Sequence, residues 1–268
     1  EFIMVIQHNI AAINSYRNLS TNQNALSKNL EKLSSGYKIN RAGDDAAGLA
    51  ISETMRSQIA GLNQAVNNAN DAVGLIQTAE GAMTETHSML QRMKTLTTQA
   101  ANGTYTSTAR TNIKAEIDAL NKEITRIATT TKFNGETPLN PARKASPLTF
   151  FIGATSDSTN AMTVAQLTMT AKELKVEDIK VSNTTEAFAA MASVDAAIEK
   201  VSSYRATLGA AQNRLEHTVN NLKVTSENIT SAESRIRDTD MADEMTRFSK
   251  ESILQQAATS MLAQAEDE

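Results

Sequence analysis

Proline placement constrains this chain more than any other feature. All three prolines, Pro138, Pro141 and Pro147, fall in one short window, with none before and none after it. A proline inside a helix costs about 3 kcal/mol, so both long flanks are free to be helical throughout. The distribution predicts two helical arms joined by a middle insert.

Apolar spacing says what the arms do. In the first arm Leu19, Leu26 and Leu33 recur every seven residues, with Leu30 beside them, but Asn22 and Gln23 thin the seam. Such a helix is marginal alone in water and is expected to order only against a partner. After Ser34-Ser35-Gly36 comes a polar joint, YKINRAGDD, where Asp44 or Asp45 supplies an N-cap carboxylate. The next helix carries Met55, Ile59, Leu62, Val66, Ala69, Val73 and Ile76 at alternating steps of four and three, continued by Met83 and Leu90. That is a sustained heptad seam. From Asp45 to about Ala101 it rises roughly 80 Å, and Asn102-Gly103 is the expected left-handed stop. A helix over about 106–130 follows, with Ile113, Ile117, Leu120, Ile124 and Ile127 as its seam; its short connection makes it antiparallel to the last.

Residues 131–183 change character. They hold the prolines, Gly135 and Gly153, and β-favouring runs at 148–152 and 162–164, with alternation over 165–170. This predicts a small β-hairpin excursion too short for a core of its own. The second arm restarts near Thr185. Val194, Val201, Leu208, Leu215, Leu222, Ile229 and Ile236 recur every seven residues without a miss. Past Ile236 the run RDTDMADE repeats the polar texture of the first joint, and a last helix over about 242–265 carries Met245, Phe248, Ile253, Leu254, Met261 and Leu262. The fold class is therefore mainly α: a long antiparallel helical coiled-coil bundle with a small β-hairpin insert, in which the N- and C-terminal arms pair. The segments are 4–44, 45–183 with the insert at 131–183, 184–234, and 235–268. Two similar, weakly apolar ends suggest a pair that zips together in an assembly, with Leu19, Leu26, Leu33, Ile253, Leu254 and Leu262 as the assembling residues.

Little points to chemistry. Cysteine is absent, which excludes disulfides, thiolate metal sites and thiol nucleophiles. Against 26 Lys plus Arg stand 30 Asp plus Glu, a net charge of −4 that does not suit a nucleic-acid surface. No window approaches 18 consecutive apolar residues, so no helical membrane span is expected. His8, His87 and His217 are far apart, and no hydrolase, zinc-protease or phosphate-loop motif occurs. Asp44-Asp45 reads better as helix capping than as an acid–base pair. The Asn-x-Ser/Thr triplets at Asn18, Asn102, Asn183 and Asn228 are expected by chance in a Thr- and Asn-rich chain, and the methionines read as seam fillers. Neither an enzyme nor a cofactor is expected.

Several long motifs in register resemble bacterial flagellin: QHNIAAINSYRNLSTNQNALSKNLEKLSSGYKINRAGDDAAGLAISE, LQRMKTLTTQAANGT and KFNG in the first arm, then LGAAQNRLEHTVNNL, ENITSAESRIRDTDMADE and SILQQAATSMLAQA in the second. The large variable outer domains of bigger flagellins are missing, so the chain resembles a minimal member. The resemblance implies a structural subunit that self-assembles into the extracellular flagellar filament, with terminal helices lining the channel and the long helices and hairpin forming the wall. It implies export unfolded through the flagellar type III apparatus without a cleaved signal. The implied partners are other flagellin subunits, the filament cap, hook-associated proteins, an export chaperone at the C-terminal segment, and the host Toll-like receptor 5. For that receptor the resemblance implies Leu90, Gln91, Arg92 and Leu96 on one helix and Glu116 on the facing one, with Thr95 standing where many receptor-active members have Glu. Leu90 and Leu96 could equally belong to the intramolecular seam.

Two features concern the ends. Glu1-Phe2 reads as a cloning remnant before Met4, and Glu266-Asp267-Glu268 replaces the short apolar stretch with which relatives usually end. A shortened terminal helix is expected to weaken inner packing and slow self-polymerisation. A hook–filament junction protein and a helical signalling rod are the alternative readings.

Overall fold

A computed structural model describes residues 10–140, 147–155 and 157–267; His8 and Pro141 lie outside them. Five helices run through these residues: α1 (Ile10–Ser35), α2 (Ala46–Ala101), α3 (Ser107–Thr130), α4 (Thr184–Arg237) and α5 (Met241–Asp267). Two short strands, β1 (Leu148–Phe151) and β2 (Ala161–Val164), pair antiparallel, Leu148 opposite Val164 and Phe151 opposite Ala161. The chain forms two compact units, residues 60–225 and residues 1–59 with 226–268.

The unit of residues 60–225 holds one hydrophobic core built from α2, α3, α4, the hairpin and the loop after it. On α2 the buried positions are Leu62, Ala69, Ile76, Met83, Leu90 and Thr97, interleaved with Ala65, Ala72, Ala79, Thr86, Met93 and Ala100. This is a full heptad pattern, but its second stripe differs from the expected one. Val66 and Val73 are only half-buried, and alanines one residue earlier do the packing. An alanine lets the facing helix come close; a search for large apolar side chains does not register it. The two threonines fit because each hydroxyl donates to its own helix backbone, Thr86 to Ala82 O and Thr97 to Lys94 O. On α4 the expected Val194, Val201, Leu208, Leu215 and Leu222 are buried, again interleaved with small residues, Ala190, Ala197 and Ala211. Ion pairs give the directions. Arg92 meets Glu116 and Ala100 O meets Arg110 across α2 and α3, while Lys94 meets Asp195 and Glu80 meets Arg205 across α2 and α4, so α2 is antiparallel to both.

Two local expectations are corrected. Gly103 is not left-handed; α2 ends instead on Arg110, whose Nε donates to Ala100 O at 2.9 Å and whose Nη2 donates to Asn102 O and the Thr184 hydroxyl. One guanidinium satisfies the carbonyls that a terminating helix leaves bare. The alternation over 165–170 does not make a strand, because its polar groups are engaged elsewhere. Tyr204 donates its hydroxyl hydrogen to Ala165 O, and Met169 N donates to Leu139 O. The insert contributes Leu139, Met162, Val164, Met169, Leu174, Val176, Ile179 and Val181 to the shared core. Asn183 opens α4 by accepting from Glu186 N, and Glu186 accepts from Ser182 N in return.

In the terminal unit α1 packs against α5, so the arms pair as expected. Gly36 takes a φ of +75°, ends α1, and its N–H donates to Lys32 O. The chain then crosses to the other arm. Lys38 N donates to Arg237 O at 2.7 Å and Thr239 N donates to Gly36 O at 3.0 Å, a short antiparallel bridge between the two polar joints. Asp45 is the cap of α2, accepting from Gly48 N at 2.9 Å. A side chain at Gly48 would collide with that carboxylate. Asp44 accepts from the N–H groups of Asn40 and Arg41 and pairs with Lys28 of α1 at 3.0 Å. Arg237 pairs with Glu53 and lies 4.7 Å from the centre of the Tyr37 ring.

Two outcomes test this construction. Gly153 is buried against Asn160, whose amide is held by Thr155, so a Cβ there has no room. Gly153→Val is expected to lower stability by about 1–3 kcal/mol in calorimetry. The second outcome concerns acid. Lys28, with the N–H groups of Arg41 and Asn40, holds the Asp44 carboxyl at about 2 against an ordinary 3.8, and Arg237 holds Glu53 low as well. Both carboxyls bind protons more weakly folded than unfolded, so their stabilisation is complete above the ordinary carboxylate range. For Asp44 it is lost as pH falls from about 4 towards about 2, and for Glu53 as pH falls below the ordinary carboxylate range. Hydrogen-exchange protection of 36–53 should fall across that window and fall less in Asp44→Asn. Parallel curves would remove Asp44 from the account.

Candidate functional site

Three kinds of surface were candidates: a carboxylate pair, a receptor patch and an assembling face. Asp44 and Asp45 are committed to backbone N–H groups on different turns of the joint. The local sequence requires this, since a loop that reverses into a helix leaves several N–H groups without carbonyl partners. Among the described residues no three His, Asp or Glu side chains gather to hold a metal ion, and no helix is long and apolar enough to cross a membrane.

The receptor patch divides by burial. Leu90 and Leu96 are 0% and 2% exposed and belong to the seam of α2. Gln91, Arg92 and Glu116 are exposed. Arg92 Nε donates to Glu116 Oε1 at 2.8 Å, bridging α2 and α3, and the Gln91 amide lies 3.0 Å from the His87 ring nitrogen Nε2. The Thr95 hydroxyl donates to Gln91 O, which holds that side chain against its own helix. Lys94 adds a second bridge, 2.7 Å to Asp195 on α4. What faces outward is therefore a polar platform, Gln91, Arg92 and Glu116, seated on two buried leucines. The heptad rule places both leucines: Leu90 continues the run of Met83, and Leu96 lies beside Thr97 in the same seam.

The six assembly residues also divide. Leu19, Leu26, Leu33 and Leu262 are half-buried on the two helices that pair. Ile253 is 66% exposed, and Leu254 is exposed with it. A larger set was not placed among the assembling residues, although Leu30, Met245 and Met261 were noted on these helices. Ile10, Ile13, Tyr16 and Leu30 on α1, and Met241, Met245 and Met261 on α5, are all large, apolar and exposed. A seven-residue search finds the stripe a helix uses inside its own chain; it discards apolar residues off that stripe. The available signal was the opposite one, namely apolar residues that fit no intramolecular seam on a helix already known to be thin. Exposed apolar surface of this kind marks an interaction surface.

Comparison with known proteins places this architecture. The bacterial flagellin N-terminal helical region matches residues 6–142, and the bacterial flagellin C-terminal helical region matches residues 191–268. The flagellin of Bacillus subtilis (strain 168) is 49% identical over 292 residues, covering 98% of this chain and 96% of that protein. The flagellin of Halalkalibacterium halodurans is 46% identical over 262 residues, with the same coverage. Among solved structures, the crystal structure of Bacillus cereus flagellin is 30% identical with a TM-score of 0.51, covering 62% of this chain and 94% of that one. A putative flagellar hook-associated protein from Vibrio parahaemolyticus shares the fold alone, at 13% identity and a TM-score of 0.60, over 73% of this chain and 100% of that one. Matched at both arms, and over nearly its whole length by relatives near half identical, the chain belongs to the bacterial flagellin family.

Proposed function

We propose that this chain polymerises through the apolar surface that α1 and α5 leave exposed, and that the platform of Gln91, Arg92 and Glu116 is the part of it which Toll-like receptor 5 recognises. Flagellins are structural proteins, not enzymes, and build the extracellular filament of the bacterial flagellum as homopolymers. The observation that carries the first half is the exposure of Ile10, Ile13, Tyr16, Met245, Ile253 and Met261 on the two helices that pair with each other. Each α1–α5 pair closes one stripe of each helix and leaves the others to neighbouring subunits. Leu19, Leu26, Leu33 and Leu262 then hold the pair, while Ile253 and Leu254 meet the next copy. Export unfolded through the type III route fits a terminal unit that gains its order from partners. An export chaperone on the C-terminal segment would cover the same apolar residues before assembly, and the filament cap and hook-associated proteins would meet this surface at the filament's two ends.

For the receptor, Arg92 supplies a rigid fork of donors on an exposed helix face, a common interface anchor. Leu90 and Leu96 contribute from beneath, by fixing the helix that presents it. Exposed ion pairs contribute little to folding, about 0–1 kcal/mol, so Arg92 and Glu116 can be altered without unfolding the protein.

Two experiments test these readings. Ile253→Asp is expected to leave monomer helicity unchanged and to remove filaments from electron micrographs under conditions where the parent polymerises. Filaments of ordinary length would sink the assembly surface. In a cell reporter carrying the receptor, Arg92→Ala should require a severalfold higher dose for the same response, and equal responses would remove the platform.

A further inference from the structure

Two Asn-Gly dipeptides occur in the chain, Asn102-Gly103 and Asn134-Gly135, and the fold treats them differently. At the second, both residues have positive φ, 49° and 87°, and Phe133 and Glu136 exchange two backbone hydrogen bonds around them. That is a two-residue type I′ turn. Its geometry gives Asn134 a small positive ψ, which turns the Gly135 nitrogen away from the Asn134 side chain. The turn is also held from outside, because the Phe133 ring packs over Gly74 of α2.

The first dipeptide lies in the exposed turn between α2 and α3. Asn102 Oδ1 accepts from Thr104 N at 3.3 Å, an Asx turn that folds the side-chain amide over the Asn102–Gly103 peptide. The Gly103 N–H has no hydrogen-bond partner among the described residues. Glycine at 103 answers no demand of the backbone, since its φ is not left-handed and a Cβ there would meet nothing within 4 Å. What the missing Cβ leaves is an unshielded backbone nitrogen beside the Asn102 amide. On the other side of the turn the main-chain Asn102 O accepts from Arg110 Nη2 at 3.2 Å and from Tyr105 N at 3.3 Å.

We propose that Asn102 is a self-modifying site, which converts to isoaspartate through attack of Gly103 N on the Asn102 side chain. Solvent base removes the Gly103 N–H proton, the nitrogen bonds to Asn102 Cγ, and the Cγ–Nδ2 bond breaks to release ammonia. A five-membered succinimide remains. Both reacting groups belong to adjacent residues, so no encounter is needed. The Thr104 N–H is aimed at the oxygen on which negative charge builds during the attack. Water then adds to one of the two ring carbonyls, and the bond from that carbon to Gly103 N breaks. Arg110 and Tyr105 polarise the main-chain carbonyl of residue 102, which directs water to that carbon. The new carboxylate forms there, next to the Arg110 guanidinium, as a charge-assisted pair, and the peptide link continues through Cγ. The chain gains one negative charge and one backbone carbon at the place where Arg110 closes α2.

The test incubates the full chain in mildly alkaline buffer, folded and in denaturant, and follows both dipeptides by peptide mapping. Electron-transfer fragmentation separates isoaspartate from aspartate. In the folded protein the Asn102 peptide is expected to convert severalfold faster than the Asn134 peptide, with isoaspartate as the main product. In denaturant the two rates should converge. Equal rates in the folded protein overturn the proposal. A ratio unchanged by denaturant overturns it as well, because the preference then comes from sequence neighbours and not from the turn. Gly103→Ala, which the open turn accommodates, should slow conversion at Asn102 severalfold with helicity unchanged; an undiminished rate removes Gly103 N as the attacking group.

Discussion

The terminal unit depends on a short backbone bridge between two stretches about 200 residues apart in sequence. Lys38 N reaches Arg237 O, and Thr239 N reaches Gly36 O. Each polar joint leaves a run of N–H groups and carbonyls between two helices, and each uses the other arm to satisfy some of them. Around the bridge the side chains repeat the same logic. Lys28 and Arg41 tie the loop to α1 by way of Asp44 and Glu31, and Arg237 ties the end of α4 to Glu53 on α2. Once the bridge is made, α1 and α5 start from adjacent points, which lets two thin seams meet.

The unit of residues 60–225 is held by a different principle. Its buried stripes alternate large and small, Ile76 with Ala79 and Val201 with Ala197, so large side chains find space beside small ones. Polar groups inside it are paired with the backbone rather than with each other, as with Thr86, Thr97 and Tyr204. Asn121 likewise donates its amide nitrogen to Val176 O at 2.6 Å, though its oxygen, like His87 Nδ1 and Arg205 Nε, is buried without a partner. It fastens the loop after the hairpin to α3, which explains why a polar residue occupies a seam position there.

Sequence periodicity carried most of this fold and less of its surfaces. The seven-residue run from Val194 to Leu222 was readable because each member is large and apolar. The alanine stripe of α2 was not, since alanine serves as well outside a core as inside one. The 165–170 stretch misled because alternation records only which side chains are apolar, and says nothing of Tyr204 waiting to take the carbonyl of Ala165. Gly103 misled for a related reason: a glycine permits a left-handed stop, but Arg110, from the following helix, made one unnecessary. Of the candidate surfaces, Arg92 and Glu116 are exposed and paired across α2 and α3. Leu90 and Leu96 fell in the core, as their place in the heptad required. Of the exposed residues of α1 and α5, Ile253 and Leu254 were among the expected assembling residues, whereas Ile10, Ile13, Tyr16 and Met241 lie off the seven-residue stripe and were not.

That last blind spot follows from what the terminal helices are made of. A helix that folds for its own sake concentrates its apolar residues on one stripe, because an apolar residue elsewhere gains nothing from packing. α1 and α5 do the reverse. Their inward positions are held by few leucines, while isoleucine, tyrosine and methionine sit where water reaches them. The distribution makes sense only if burial is to be completed by surfaces outside the chain. Methionine suits that role, since its unbranched, polarisable side chain adapts to a neighbour whose exact position is not fixed by its own fold. The unit of residues 60–225 encloses its own hydrophobic core. The terminal unit leaves more large apolar side chains uncovered than the unit of residues 60–225, so added apolar contacts have more to gain there.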